Sequence, residues 1–343
     1  MWSVVSLLDS ERDDDLWINY YDLMDILCRE HGSDRVGGGW ERMRERLISF
    51  RENLPMYDRW IVLDNDSPIA WEDFRIHKDA KGKPLAYTHM DALIDPVPPE
   101  IERMLADNLI GKFRKHECTL CFIMTTNERI SRVANNWGAK PQSKIVRYRL
   151  RRSNANVDLM RGWIDTIPNK HPDIRIEFFK FIPDELLNYF CELYTRFIAD
   201  MPGEVESEVE HAVSADEWRK RNEWRKKNNI QHYSYLMFDR NELIGFTNAA
   251  IYAGDAVDIY QAMTGVLPEY RGRGLGKWLK AALYLKLIED FPENETVTTD
   301  MRAVNEPIQR LNANMGYERV TEGGEFALRV EDLERYLSTN PVK

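Results

Sequence analysis

A twelve-residue pattern occurs twice in this chain. Asn127-Glu128-Arg129-Ile130-Ser131-Arg132-Val133-Ala134-Asn135-Asn136-Trp137-Gly138 reads without a gap against Asn305-Glu306-Pro307-Ile308-Gln309-Arg310-Leu311-Asn312-Ala313-Asn314-Met315-Gly316, with Asn, Glu, Ile, Arg, Asn and Gly at matching places. Further fragments recur in the same order. Asn19-Tyr20-Tyr21 resembles Asn188-Tyr189-Phe190, and an apolar hairpin from Trp60 to Ala70 resembles one from Tyr235 to Gly245. A repeat on this scale requires that one half of the chain build what the other half builds. With 343 residues, 43% of them apolar, there is material for two cores. The expected division is 1–150 for the first copy, 151–172 for a linker or crossover helix through Met160 and Trp163, and 173–343 for the second copy.

In the second copy a meander of strands is followed by strand, helix, strand, helix, strand, which predicts a three-layer α/β arrangement. Pro183 suits a helix start, Ser214-Ala215-Asp216-Glu217 has capping-box spacing, and an apolar strand ends at Val266. Beyond that strand lies Leu267-Pro268-Glu269-Tyr270-Arg271-Gly272-Arg273-Gly274-Leu275-Gly276-Lys277, and then a helix whose Leu275, Leu279, Ala282, Leu283 and Leu287 fall on one buried face. Glycines in a strand-to-helix turn let backbone amides converge on an anion at the helix N-terminus. Arg271, Arg273 and Lys277 add positive charge at its edge. The glycine spacing fits neither the dinucleotide fingerprint nor a Walker loop.

This loop, with Val266 before it and Asn305 and Asn314-Met315-Gly316-Tyr317 after it, resembles the GNAT family of N-acetyltransferases over roughly residues 174 to 330; the repeat extends the likeness over the first half. The resemblance implies two tandem GNAT-like acyl-CoA N-acyltransferase domains, each a mixed, mostly antiparallel central sheet flanked by helices. The tandem organisation is similar to that of the mycothiol synthases. It further implies acetyl-CoA as cosubstrate, its pyrophosphate held by Arg271, Gly272, Arg273, Gly274, Leu275, Gly276 and Lys277. Asn305 would reach the pantetheine arm, the strand Met263-Thr264-Gly265-Val266 would carry the oxyanion donor, and Asn312 would stand where the family often has a thiol-facing tyrosine.

The implied reaction is direct attack of a neutral amine on the thioester, so a group must accept the ammonium proton. Candidates are Asp258, which shares a strand face with Tyr260, and Glu223 on the charged helix, while Tyr260 or water stands in as the acid that protonates the thiolate. Glu204, Glu206, Glu208 and Glu210 favour a small cationic amine. A catalytically weak coenzyme-binding sensor is the alternative. Superposing Pro99-Glu100 on Pro268-Glu269 puts Glu102, Leu105 and Asp107 where Arg271, Gly274 and Gly276 stand, so the first copy is expected to lack the coenzyme loop.

The formal charge of −10 opposes nucleic-acid binding, and no apolar run is long enough for a membrane helix. Four scattered cysteines suggest a reducing, cytoplasmic setting. The pair Cys118 and Cys121 reads as buried strand cysteines rather than half of a zinc site, and the histidines, His211 included, lack metal-ligand spacing; no metal is expected.

Overall fold

The computed structural model describes residues 2–30, 39–53, 57–78, 82–125, 127–201, 213–252 and 258–340. Both halves run through the same elements. The first is β1 (Trp2–Ser6), α1 (Asp14–Glu30), α2 (Gly39–Asn53), β2 (Asp58–Asp64), β3 (Ser67–Lys78), β4 (Pro84–Ala92), α3 (Pro99–His116), β5 (Leu120–Thr125), α4 (Glu128–Asn136), β6 (Lys140–Arg151) and α5 (Val157–Lys170). The second is β7 (Ile174–Phe179), α6 (Asp184–Ala199), α7 (Ala215–Lys227), β8 (Ile230–Asp239), β9 (Glu242–Tyr252), β10 (Asp258–Val266), α8 (Leu275–Asp290), β11 (Thr296–Arg302), α9 (Glu306–Met315), β12 (Glu318–Arg329) and α10 (Val330–Thr339).

The correspondence reaches single residues. The twin hairpins close at Asp64 opposite Ser67 and at Asp239 opposite Glu242, and each slips register once, after Val62 and after Met237. Arg59, Asp73 and Arg75 therefore stand where Ser234, Asn248 and Ala250 stand. The repeated helices α4 and α9 follow Asn127 and Asn305, and the chain leaves them through left-handed glycines, Gly138 and Gly316. Ser214 and Glu217 form the expected capping box on α7.

Two separate sheets would follow from the repeat alone; instead all twelve strands form one, in the order β1-β2-β3-β4-β5-β12-β6-β11-β10-β9-β8-β7. Each half gives its last strand to the other. β6 pairs with β11, β12 pairs with β5, and the two exchanged strands pair with each other at the centre. This arrangement leaves no open edge in the middle of the molecule, where unpaired N–H and C=O groups would otherwise face a neighbour. Ion pairs fasten the joint. Arg147 binds Asp300 through two 2.8 Å contacts, Arg149 meets Glu318 at 3.0 Å, and Arg302 meets Glu325 at 2.9 Å. Among the described residues only β4–β5 and β10–β11 are parallel pairs.

In the second unit α6 and α7 cover one face, here called the front: Phe190 of α6 packs on Phe246 of β9 and Trp218 of α7 on His232 of β8. The long helix α8 covers the back, where its Asp290 accepts a 2.8 Å hydrogen bond from Tyr233. The front layers of the two units touch, with Phe50 of α2 stacked on Trp224 of α7 at 4.1 Å and Asn228 donating to the Ser49 hydroxyl. Cys118 and Cys121 are buried, as their strand pattern suggests.

Cutting the chain between Arg152 and Ser153 tests the exchange. Fragments 1–152 and 153–343 made separately should aggregate, since each keeps a strand that belongs to its partner, whereas co-expressed fragments should purify as a 1:1 complex. A monomeric, well-dispersed 1–152 fragment by size exclusion and NMR would contradict the topology.

Candidate active site

Strands β10 and β11 stay together for two residue pairs only, Ile259 with Val297 and Tyr260 with Thr298. Beyond them β10 continues beside β9 as far as Val266, and β11 beside β6 as far as Arg302. A wedge therefore opens in the sheet between Gln261–Val266 and Thr299–Arg302, and the β10 groups on that side have no strand opposite them. A bulge between Gln261 and Thr264 bends β10 at the same place. The Met263 N–H donates to the buried Asn248 side chain at 3.0 Å, and Thr264 shares a 2.7 Å hydrogen bond with Thr247. Gly265 is fixed by packing, because a Cβ there would lie 2.4 Å from the Phe197 ring of α6.

The chain leaves the wedge through a single 3-10 turn at Pro268–Tyr270 and enters α8 by way of Gly272 and Gly274, at φ +77° and +82°. Those left-handed values suit glycine. Arg271 N–H is bonded to Pro268 C=O, and Lys277 N–H to Gly274 C=O. Among the described residues, the N–H groups of Gly272, Arg273, Gly274, Leu275 and Gly276 between them donate to no protein acceptor. Five consecutive free amides stand at the start of a 16-residue helix, the arrangement that complements an anion.

Side chains from three other elements hold the turn. Arg271 is exposed; its Nε donates to Val266 C=O at 3.1 Å and its Nη2 lies 3.3 Å from Asp200 at the end of α6. Arg273 lies over the Tyr270 ring and pairs with His171, whose other ring nitrogen lies 3.2 Å from Arg273 C=O. Lys277 lies 5.6 Å from the centre of the Trp163 ring. The segment 151–172 thus does more than connect: α5 packs along α8 and supplies Trp163, Ile167 and His171 to the turn.

Asn305 is half-buried at the N-cap of α9, yet its side chain caps nothing. Its counterpart Asn127 accepts from Arg129 N–H and donates to Asp91 at 2.6 Å. The same residue is thus fully used in one unit and available in the other. Asn312 is buried in the back layer with its Oδ1 unpartnered among the described residues.

On the front face Tyr260 stands opposite Ala250, which stands opposite His232. Its hydroxyl is in hydrogen-bond contact with the Asp300 backbone across the sheet; burial, reinforced by the Asp300 carboxylate, pushes the phenol well above its ordinary range. Arg147 in turn clamps Asp300. Arg225 and Arg221 lie over Trp218 on this face, and burial, with both arginines nearby, keeps His232 neutral. Glu223 is exposed on α7, pointing away from the neighbouring buried Asn222 and Trp224. Asp258 opens β10, but its side chain lies outside the described residues, as do Glu204, Glu206, Glu208, Glu210 and His211.

The first unit reaches the same point differently. Its β4 and β5 also part after a short parallel pairing, but α3 starts at once, with Pro98 at its N-cap and Pro99 at its first position. Two consecutive prolines remove two N–H groups where the second unit presents five. Glu102, Leu105 and Asp107 lie inside this helix, so the superposition on Arg271, Gly274 and Gly276 fails: the loop is missing altogether rather than chemically inverted. Glu102 accepts from Asn136 and Tyr336, and burial raises its carboxyl pKa.

Lys280 was hidden in the sequence by its helix. It is 1% exposed on α8, 5.2 Å from the ring of Tyr317, whose hydroxyl donates to Gln261 at 2.7 Å. Burial pushes its amine from 10.5 down to about 7. A lysine between Leu279 and Ala281-Ala282-Leu283 is the one signal that could have revealed it. Between those two values the unfolded chain binds the proton that the folded chain releases, so the penalty is full below pH 7 and fades toward pH 10.5. Lys280→Met should raise stability by on the order of 3 to 5 kcal/mol at pH 6 and by little above pH 10.5. Urea unfolding at the two pH values checks this; a gain independent of pH would contradict it.

The sequence profile of the acetyltransferase (GNAT) family matches residues 191–317, from the second half of the front helix α6 through the meander and the glycine turn to the end of α9. No curated protein matches the sequence. Among solved structures, a tandem GNAT protein from the clavulanic acid biosynthesis pathway is 19% identical, with a TM-score of 0.70 over 96% of this chain and 99% of that one. A GCN5-related N-acetyltransferase from Sphaerobacter thermophilus is 12% identical, with a TM-score of 0.60 over 96% of each chain. At such identities the likeness shows the fold, and it does so from end to end. Residues 191–317 thus match the GNAT acetyltransferase family, and the chain as a whole shares its fold with tandem GNAT proteins.

Proposed function

We propose that the second unit is an acetyl-CoA-dependent N-acetyltransferase acting on the primary amine of a small molecule by direct attack. The observation that carries this is the run of free amides from Gly272 to Gly276 beside the wedge in the sheet. Acetyl-CoA supplies the activated acyl group. The turn amides bind its diphosphate, with Arg271, Arg273 and Lys277 adding charge, and Asn305 takes the pantetheine arm. Backbone groups of Met263 to Val266 facing the wedge stabilise the developing oxyanion.

Tyr260 remains protonated and orients the acceptor, because its raised pKa makes it a donor throughout the neutral range. Asp258, two residues earlier on the same strand face, takes the ammonium proton, and Glu223 serves at the rim where the amine enters. Asn312 can give up no proton, so the departing thiolate takes its proton from solvent.

The glutamates at 204–210 favour a cationic amine, whereas Arg221 and Arg225 on the described front face favour an acceptor that also carries an anionic group, such as an amino acid. Thiol release with acetyl-CoA and matched amines, with and without a carboxylate, separates these two acceptors. Arg271→Glu should weaken CoA binding by roughly tenfold or more, since it reverses a charge beside the diphosphate. Tyr260→Phe should lower kcat while leaving CoA affinity unchanged. CoA binding without thiol release for any amine would favour a sensor, and unchanged CoA affinity in Arg271→Glu would overturn the loop assignment.

A further inference from the structure

The front face of the first unit carries charge that the fold does not require. Arg59 is nearly buried on β2; it donates to Tyr20 at 2.5 Å and to Asp73 at 3.0 Å and lies 4.4 Å from the centre of the Trp71 ring. Asp73, opposite it on β3, also accepts from the His89 backbone at 3.1 Å and faces the His89 ring at 3.3 Å. Arg75 contacts His89 and stands opposite Tyr87 on β4. Beyond Tyr87 lies Glu325 of the exchanged strand, paired with Arg302. In the second unit the positions of Arg59, Asp73 and Arg75 are Ser234, Asn248 and Ala250. The same strands close there with no charge at all.

The cluster is short of negative charge. Three guanidiniums, Arg59, Arg75 and Arg302, face two carboxylates, Asp73 and Glu325. Asp91, the next acid along β4, is bonded to Asn127 and to Ala92 N–H. His89 adds no charge to offset this, because burial and the Arg75 guanidinium keep its ring neutral. Among the described residues, one N–H of each arginine is buried without an acceptor: Arg59 Nε, Arg75 Nε and Arg302 Nη1. A buried donor left unpaired costs free energy, and the two on Arg59 and Arg75, which share the Asp73 carboxylate, are complementary to an anion. Arg75 and His89 are about one-third exposed, at 32% and 33%, and Arg59 is 12% exposed. Tyr20, Tyr57 and Trp71 around Arg59 add apolar surface.

We propose that this cluster on the front face of the first unit binds a small monocarboxylate with an apolar body, held by Arg75 and His89 at the surface and by the guanidinium of Arg59 beside Asp73. One negative charge balances the cluster, and the forked donors of arginine match a carboxylate. The first unit would then be a binding module beside the transferase domain, reading a ligand distinct from coenzyme.

The test is titration of the full-length protein with sodium acetate, benzoate, succinate or phosphate against sodium chloride at equal ionic strength. Melting temperature and Trp71-dependent fluorescence are followed. Benzoate should raise the melting temperature saturably and more than acetate does, while Arg75→Met should weaken its binding by roughly tenfold or more without changing CoA affinity. Arg75→Lys, which keeps the charge and loses the fork, should fall between. A response to phosphate alone would overturn the carboxylate assignment. So would no saturable response beyond chloride, which would mean that only water meets these donors, or benzoate binding unchanged in Arg75→Met.

Discussion

A strand that parts from its neighbour just before it turns into a helix sets the geometry on which the rest depends. Where β10 leaves β11, the backbone loses partners on one side; where the chain then enters α8 through two left-handed glycines, it loses five more. The first N–H groups of a helix are left to solvent or to a ligand, and here they gather beside an opening in the sheet. Asp200, His171 and the Val266 carbonyl fix the cationic side chains around the turn without using its amides.

The two units show how little is needed to remove this property. They share element order, hairpin register and a parting of parallel strands. In the first unit the helix begins on Pro98-Pro99, Asn127 is committed to its own helix and to Asp91, and charged side chains line the front face. The exchange of β6 and β12 makes the units inseparable, so the first could lose the glycine turn while remaining half of the sheet that supports the second.

Much of the fold could be read from the sequence because its signals are local. The twelve-residue repeat, the Ser214 capping box, the hairpin turns and the glycine turn each fix their conformation within a few residues. The strand exchange could not be read, since β6 and β12 have the same local pattern whichever sheet they join, and pairing is decided by edges far away in sequence. The site divided the same way. Arg271 to Lys277 and Asn305 could be named from motif spacing, whereas Asn248, Asp300, Arg147, His171 and Lys280 matter through contacts across strands and helices. The pairing of Glu102 with Arg271 failed because a shared Pro-Glu dipeptide begins a helix in one unit and a 3-10 turn in the other.

Amide chemical shifts during a CoA titration test the central claim most directly. Binding by the turn predicts large, saturable shifts at the N–H groups of Gly272, Arg273, Gly274, Leu275 and Gly276, with the α3 start at Glu100 to Glu102 unmoved. Shifts centred on the first unit, or a turn whose amides ignore saturating CoA, would contradict it.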